Sequence, residues 1–78
     1  MINKLKLPHL VSTFGERLRE LRLEKGLSIK KLAAELGIDD TTIGSWEKGE
    51  YQPQLSMLYM LVAFFNVSMD YLTGLKDE

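Results

Sequence analysis

Apolar residues recur along this chain at spacings of three and four, the period of a helix with one buried face. Phe14, Leu18 and Leu21 share one face, Leu32, Ala33 and Leu36 another, and Ile43 and Trp46 a third. From Leu55 to Phe65 the chain carries no charge at all. This pattern predicts helices over 14–25, 29–36, 40–48, 55–65 and 69–73. Each stop has a residue suited to the left-handed conformation that ends helices: Gly26, Gly37, Gly49, Asn66 and Gly74. The starts are also marked. Ser28, Asp39 and Ser68 are good N-caps, and Thr13 with Glu16 has capping-box spacing. Alternation of period two occurs only weakly, at Ile2 to Leu7, and Pro8 limits that stretch to an edge strand.

Only Gly37, Ile38 and Asp39 lie between the second and third predicted helices. A connection that short sets two helices at a steep crossing, the helix-turn-helix arrangement. Ala33 is small where the two must approach, and Ile38 plugs the turn. The expected fold is all-α, a compact bundle of five short helices. Residues 13–75 form the domain, 1–12 an N-terminal arm or extension, and 76–78 a tail.

Composition narrows the chemistry. The chain has 78 residues, no cysteine and one histidine. That removes disulfides and leaves no donor set for a structural zinc. Net charge is −1, with Lys+Arg 10 against Asp+Glu 11, so no global basic field advertises a nucleic-acid partner. The apolar run Leu58 to Phe65, even with Met57 before it, is far short of the roughly 20 residues that span a bilayer. The start resembles no signal peptide, and a cytoplasmic protein is expected. No catalytic constellation is visible. His9 has no nucleophile near it, Asp39 and Asp40 are adjacent rather than spaced as acid and base, and no glycine-rich phosphate loop exists. No cofactor, metal or small-molecule ligand is expected.

A longer series carries more information. Arg17-Leu18-Arg19-Glu20-Leu21-Arg22 is followed by Gly26-Leu27-Ser28 and Leu32-Ala33-Ala34-Glu35-Leu36-Gly37-Ile38. Then come Thr42-Ile43-Gly44-Ser45-Trp46-Glu47-Lys48-Gly49, Pro53 and Val67-Ser68-Met69-Asp70-Tyr71-Leu72. In order and without large gaps, Phe14 to Leu75 resembles the Cro/C1-type (Xre-like, lambda-repressor-like) helix-turn-helix domain. The resemblance implies sequence-specific binding of double-stranded DNA and bacterial or phage transcription control, in a protein that is not an enzyme. It also implies an ion pair between Arg22 and Glu47. A carboxylate packed between Trp46 and Gly49 needs a partner, and arginine's fork suits a carboxylate.

In such a domain the N-terminal part of the second motif helix reads base edges. Its outward positions here are Asp40, Thr41, Gly44 and Ser45. Carried over from the family, Asp40, Thr41 and Ser45 face bases. Ser28 and Ile29 face phosphates, with Lys30, Lys31, Lys48 and Gln52 along the backbone. Lys4 and Lys6 sit on an arm able to lie along a groove. The chain also departs from the pattern. Isoleucine replaces the common glutamine at position 29. Asp40 stands where arginine, serine or glutamine is common, and Glu50 lies in a loop that is usually basic. An aspartate facing DNA is favourable only where a cytosine amino group donates to it.

The uncharged helix 55–65 suggests a second working surface. Leu55, Leu58, Leu61, Val62 and Phe65 suffice for an intramolecular core, which places Met57, Met60, Ala63 and Phe64 on the far side as a homodimer interface. Alternatively, Ile2, Leu5, Leu7, Leu10 and Val11 of the N-terminal segment cover that side. A rival reading keeps the scaffold and drops the DNA: a protein-interaction module, antirepressor-like or antitoxin-like, working through helix 55–65. Fold alone does not choose between them.

Overall fold

The computed structural model describes residues 3–77, with side chains from Thr13 onward. Five helices follow one another: α1 (Asn3–Glu24), α2 (Ile29–Leu36), α3 (Asp40–Lys48), α4 (Leu55–Phe65) and α5 (Met69–Thr73). No strand occurs among the described residues.

The boundaries of α2 to α5 follow from local chemistry. Ser28 Oγ accepts from the Lys31 N–H at 3.0 Å, and Ser68 Oγ accepts from the Tyr71 N–H at 3.0 Å. Gly37 closes α2 at φ 71° and Gly49 closes α3 at φ 77°. That left-handed turn costs an ordinary side chain energy and glycine nothing. It lets the Ile38 N–H reach the Ala33 carbonyl at 3.0 Å and the Glu50 N–H reach the Ser45 carbonyl at 3.0 Å.

Two starts differ from the sequence expectation. The first helix begins at Asn3 rather than near 14, and residues 3–7, read as part of a weak strand, lie within it. Thr13 lies inside it, so the Thr13–Glu16 spacing is one helical turn and not a capping box. The groove-binding role of Lys4 and Lys6, and the covering role of Ile2, Leu5, Leu7, Leu10 and Val11, fall outside the described side chains. Asp39 has N-cap backbone angles but its side chain makes no capping bond. Its carboxylate accepts instead from Thr41 Oγ1 at 2.7 Å.

The core takes one fully buried side chain from every helix: Leu18, Leu32, Ile43, Leu61 and Leu72. Phe14, Leu21, Ala33, Trp46 and Phe65 complete it. Burying a leucine or isoleucine contributes about 1.5–3 kcal/mol, so these five positions couple all five helices into one unit. Leu55, expected in this core, is 58% exposed. It opens α4, one full turn before Tyr59, and the two share a helix side that turns away from Leu61 and Phe65. Met57 and Phe64, expected on the far side, pack partly against the core.

Candidate nucleic-acid interface

Two features of α1 fix the position of α3. The first is a charged fork. Arg22 Nε donates to Glu47 Oε2 at 2.7 Å and its NH2 group donates to Glu47 Oε1 at 3.0 Å. A third bond runs from Arg22 NH1 to the Leu27 carbonyl at 2.8 Å. The two side chains are 8% and 6% exposed. The Glu47 hydrogen bond, aided by charge attraction, holds the guanidinium above its usual pKa despite burial, which acts the other way. A raised pKa contributes stability below the unfolded value and loses it only as pH rises through the folded one. The arginine therefore stays charged, and the fork intact on its side, through the whole neutral range.

The second feature is Gly15, which the sequence marks only as a glycine between Phe14 and Glu16. A β-carbon there would lie 2.6 Å from the Glu47 carbonyl oxygen and 2.7 Å from that of Trp46. The backbone of α1 thus touches the last turn of α3 directly, beside the fork. With Ile43 and Trp46 buried in the core, α3 is held on its inner side along its length.

The opposite side of α3 is open. Lys48 is exposed and so is Thr41, while Asp40, Gly44 and Ser45 are half-buried. A β-carbon on Gly44 would meet nothing within 4 Å. Ser28, Lys30 and Lys31 are exposed at the start of α2, and Gln52 is exposed in the loop after α3. Ile29, expected to face phosphates, packs in part against the core. Asp39 and Glu50 are exposed as well, so this side mixes both signs of charge. Thr41, Thr42, Ser45, Trp46 and Tyr51 line a shallow hollow between α3 and the following loop.

Between Gly15 and Arg22 on α1, Arg17 makes contacts that sequence reasoning missed. Its guanidinium stacks 4.4 Å from the Tyr71 ring centre. It donates to the carbonyls of Tyr71 and Lys76 and pairs with Asp77 at 3.2 Å. The carbonyl partners are main-chain groups more than fifty positions away, which leave no mark in the sequence. Among the described residues no group of acidic, histidine or cysteine side chains is placed to hold a metal ion, and no helix is long and apolar enough to cross a membrane.

A short helix braced from behind, with its outer side left clear and a second helix crossing its start, is the arrangement of the helix-turn-helix domain. The chain belongs to the helix-turn-helix family, whose pattern matches residues 18–72. That family is one of transcriptional regulators rather than enzymes. The chain is 36% identical over 65 residues to the uncharacterized HTH-type transcriptional regulator YobD of Bacillus subtilis, covering 83% of this chain and 58% of YobD. It is 36% identical over 62 residues to an uncharacterized HTH-type transcriptional regulator of Archaeoglobus fulgidus, covering 80% of this chain and 89% of that protein. In structure it is similar to the restriction-modification controller protein C.AhdI of Aeromonas hydrophila. The TM-score there is 0.71 and the identity 35%, over 80% of this chain and 94% of the other. The chain therefore spans little more than half of YobD and nearly all of the controller protein.

Proposed function

We propose that this protein is a sequence-specific DNA-binding regulator of transcription that acts as a homodimer, with α3 in the major groove. Asp40, Thr41 and Ser45 face base edges in this reading, while Ser28, Lys30, Lys31, Lys48 and Gln52 lie along the phosphates. The observation that carries it is Gly44. Glycine inside a helix costs about 1 kcal/mol relative to alanine, and nothing within the protein requires one here. The missing side chain makes sense if another molecule's surface comes close to the middle of α3.

The test is selection of bound duplexes from a random pool at low salt, followed by Gly44→Ala. The variant is expected to be more stable, by about 0.5–1 kcal/mol, and to bind the selected duplex more weakly. A variant that gains stability and binds as well as wild type would remove α3 from the DNA surface.

The homodimer is proposed through α4. Ala63 is exposed and Met60 half-buried, and Leu55 and Tyr59, each 58% exposed, extend the same uncharged surface. Met57 and Phe64 lend it support from the core side. Tyr59→Glu is expected to convert a dimer to a monomer in sedimentation equilibrium at tens of micromolar. A wild-type monomer under those conditions would refute the proposal. The same surface, together with Asp39 and Glu50 near α3, favours the second reading, a protein-interaction module. Failure of the selection experiment would turn attention to it.

A further inference from the structure

The hollow beside α3 has a chemical character of its own. Thr41 donates its hydroxyl proton to Asp39 at 2.7 Å. Toward the hollow it therefore brings a methyl group and a lone pair, with no proton for a base. Thr42 adds a second threonine, Trp46 a largely buried indole, and Tyr51 a ring that is 69% exposed. Ser45 brings a hydroxyl that makes no hydrogen bond among the described residues. The result is a recess of mixed lining, in which threonine methyl groups and aromatic rings stand beside the hydroxyl groups of Thr42, Ser45 and Tyr51.

Base edges in the major groove differ in what they need. Thymine presents a methyl group beside the O4 acceptor, cytosine an amino donor and no methyl, adenine an acceptor and an amino donor, guanine two acceptors. Only thymine combines an apolar group with an adjacent acceptor. Cytosine could give its amino group to a hydroxyl oxygen here, but it has no methyl group to bury against the threonine methyl groups and the Tyr51 ring. We infer that this hollow is a thymine-reading pocket, in which the 5-methyl group enters between Thr41 and Tyr51 and the Ser45 hydroxyl donates to O4. The inference rests on the DNA-binding reading above and assigns Tyr51 a role in specificity.

The pocket separates experimentally from the general reading. In the selected duplex, each thymine is replaced singly by deoxyuridine, which deletes the methyl and leaves O4 in place. Binding is measured by fluorescence anisotropy. One thymine per half-site is expected to show about four-fold weaker binding as uracil, the size expected for burying one methyl. Thr41→Ser keeps the hydroxyl bonded to Asp39 and deletes the wall methyl, so it is expected to bind both duplexes alike. Thr41→Val keeps the methyl and is expected to retain the difference. A selected duplex that binds tightly yet tolerates uracil everywhere overturns the pocket and leaves the DNA reading standing. So does a Thr41→Ser variant that discriminates as wild type does. Absence of any bound duplex at low salt overturns both.

Discussion

Replacing Glu47 with alanine is expected to destabilise the fold by about 3–5 kcal/mol, because it leaves a buried guanidinium with no counter-charge. A chain this small has a total stability near the low end of the usual range, about 5 kcal/mol. The variant should therefore be largely unfolded at 37 °C. Of the three Arg22 bonds only the one to the Leu27 carbonyl would survive. Urea denaturation followed by circular dichroism measures the loss. The double variant Arg22→Met with Glu47→Leu provides the control. Removing both charges removes the stranded one, and its stability should recover most of the way to wild type. A single variant that melts with the wild-type midpoint would show that the fork contributes nothing.

Gly15→Ala is expected to act in the opposite direction from Gly44→Ala, although both place the same methyl group on a helical glycine. Helix propensity favours alanine by about 1 kcal/mol at either site. At Gly44 nothing opposes that gain. At Gly15 the new carbon would sit 2.6 and 2.7 Å from two carbonyl oxygens of α3. These are backbone atoms, so relief requires α1 and α3 to part. Forcing extra volume into a packed contact costs about 1–3 kcal/mol and at times more. The steric term is expected to win, because the atoms in the way are backbone, with a net loss of up to about 2 kcal/mol after the propensity gain. Urea denaturation of the two variants side by side provides the check. A stabilised Gly15→Ala protein would mean that the helices separate there without cost.

What was legible in the sequence was whatever is decided locally. The bounds of α2, α3, α4 and α5 agree with the pattern because most of their ends carry their own signals. Ser28 and Ser68 cap two starts, and Gly37, Gly49, Asn66 and Gly74 take the left-handed turn at four ends. The start of α1 is not legible because one helical turn and a capping box have the same spacing, and Thr13 with Glu16 fits both. Asp39 was read as a cap from its position and residue type, but the Thr41 hydroxyl competes for its carboxylate. Arg17 looked like any surface cation, since its partners are carbonyls that chain geometry alone brings near. Gly15 did carry a signal, a glycine amid Phe14, Leu18 and Leu21, but only the crossing with α3 gives that signal meaning. Leu55 reads as core from the sequence because a helix without charged residues gives little to mark which side faces out.

The positive charges of α1 have an electrostatic consequence for DNA. Arg17 and Arg22 are engaged within the protein, Lys25 lies 5.5 Å from the Phe64 ring centre, and Lys76 pairs with Asp70. The described cations on the helix-turn-helix itself are Lys30, Lys31 and Lys48, and the exposed Arg19 stands outside it on α1. Each phosphate neutralised releases close to one condensed counterion, with a logarithmic salt slope of about −0.9 per contact. Three such contacts give a slope of about −2.7 for one subunit and about −5.4 for the proposed dimer. A single subunit gains little from the polyelectrolyte character of DNA as such, and a second subunit doubles that gain. The salt dependence of binding therefore counts the subunits on the DNA, since one and two copies of this charge set give slopes that differ by a factor of two.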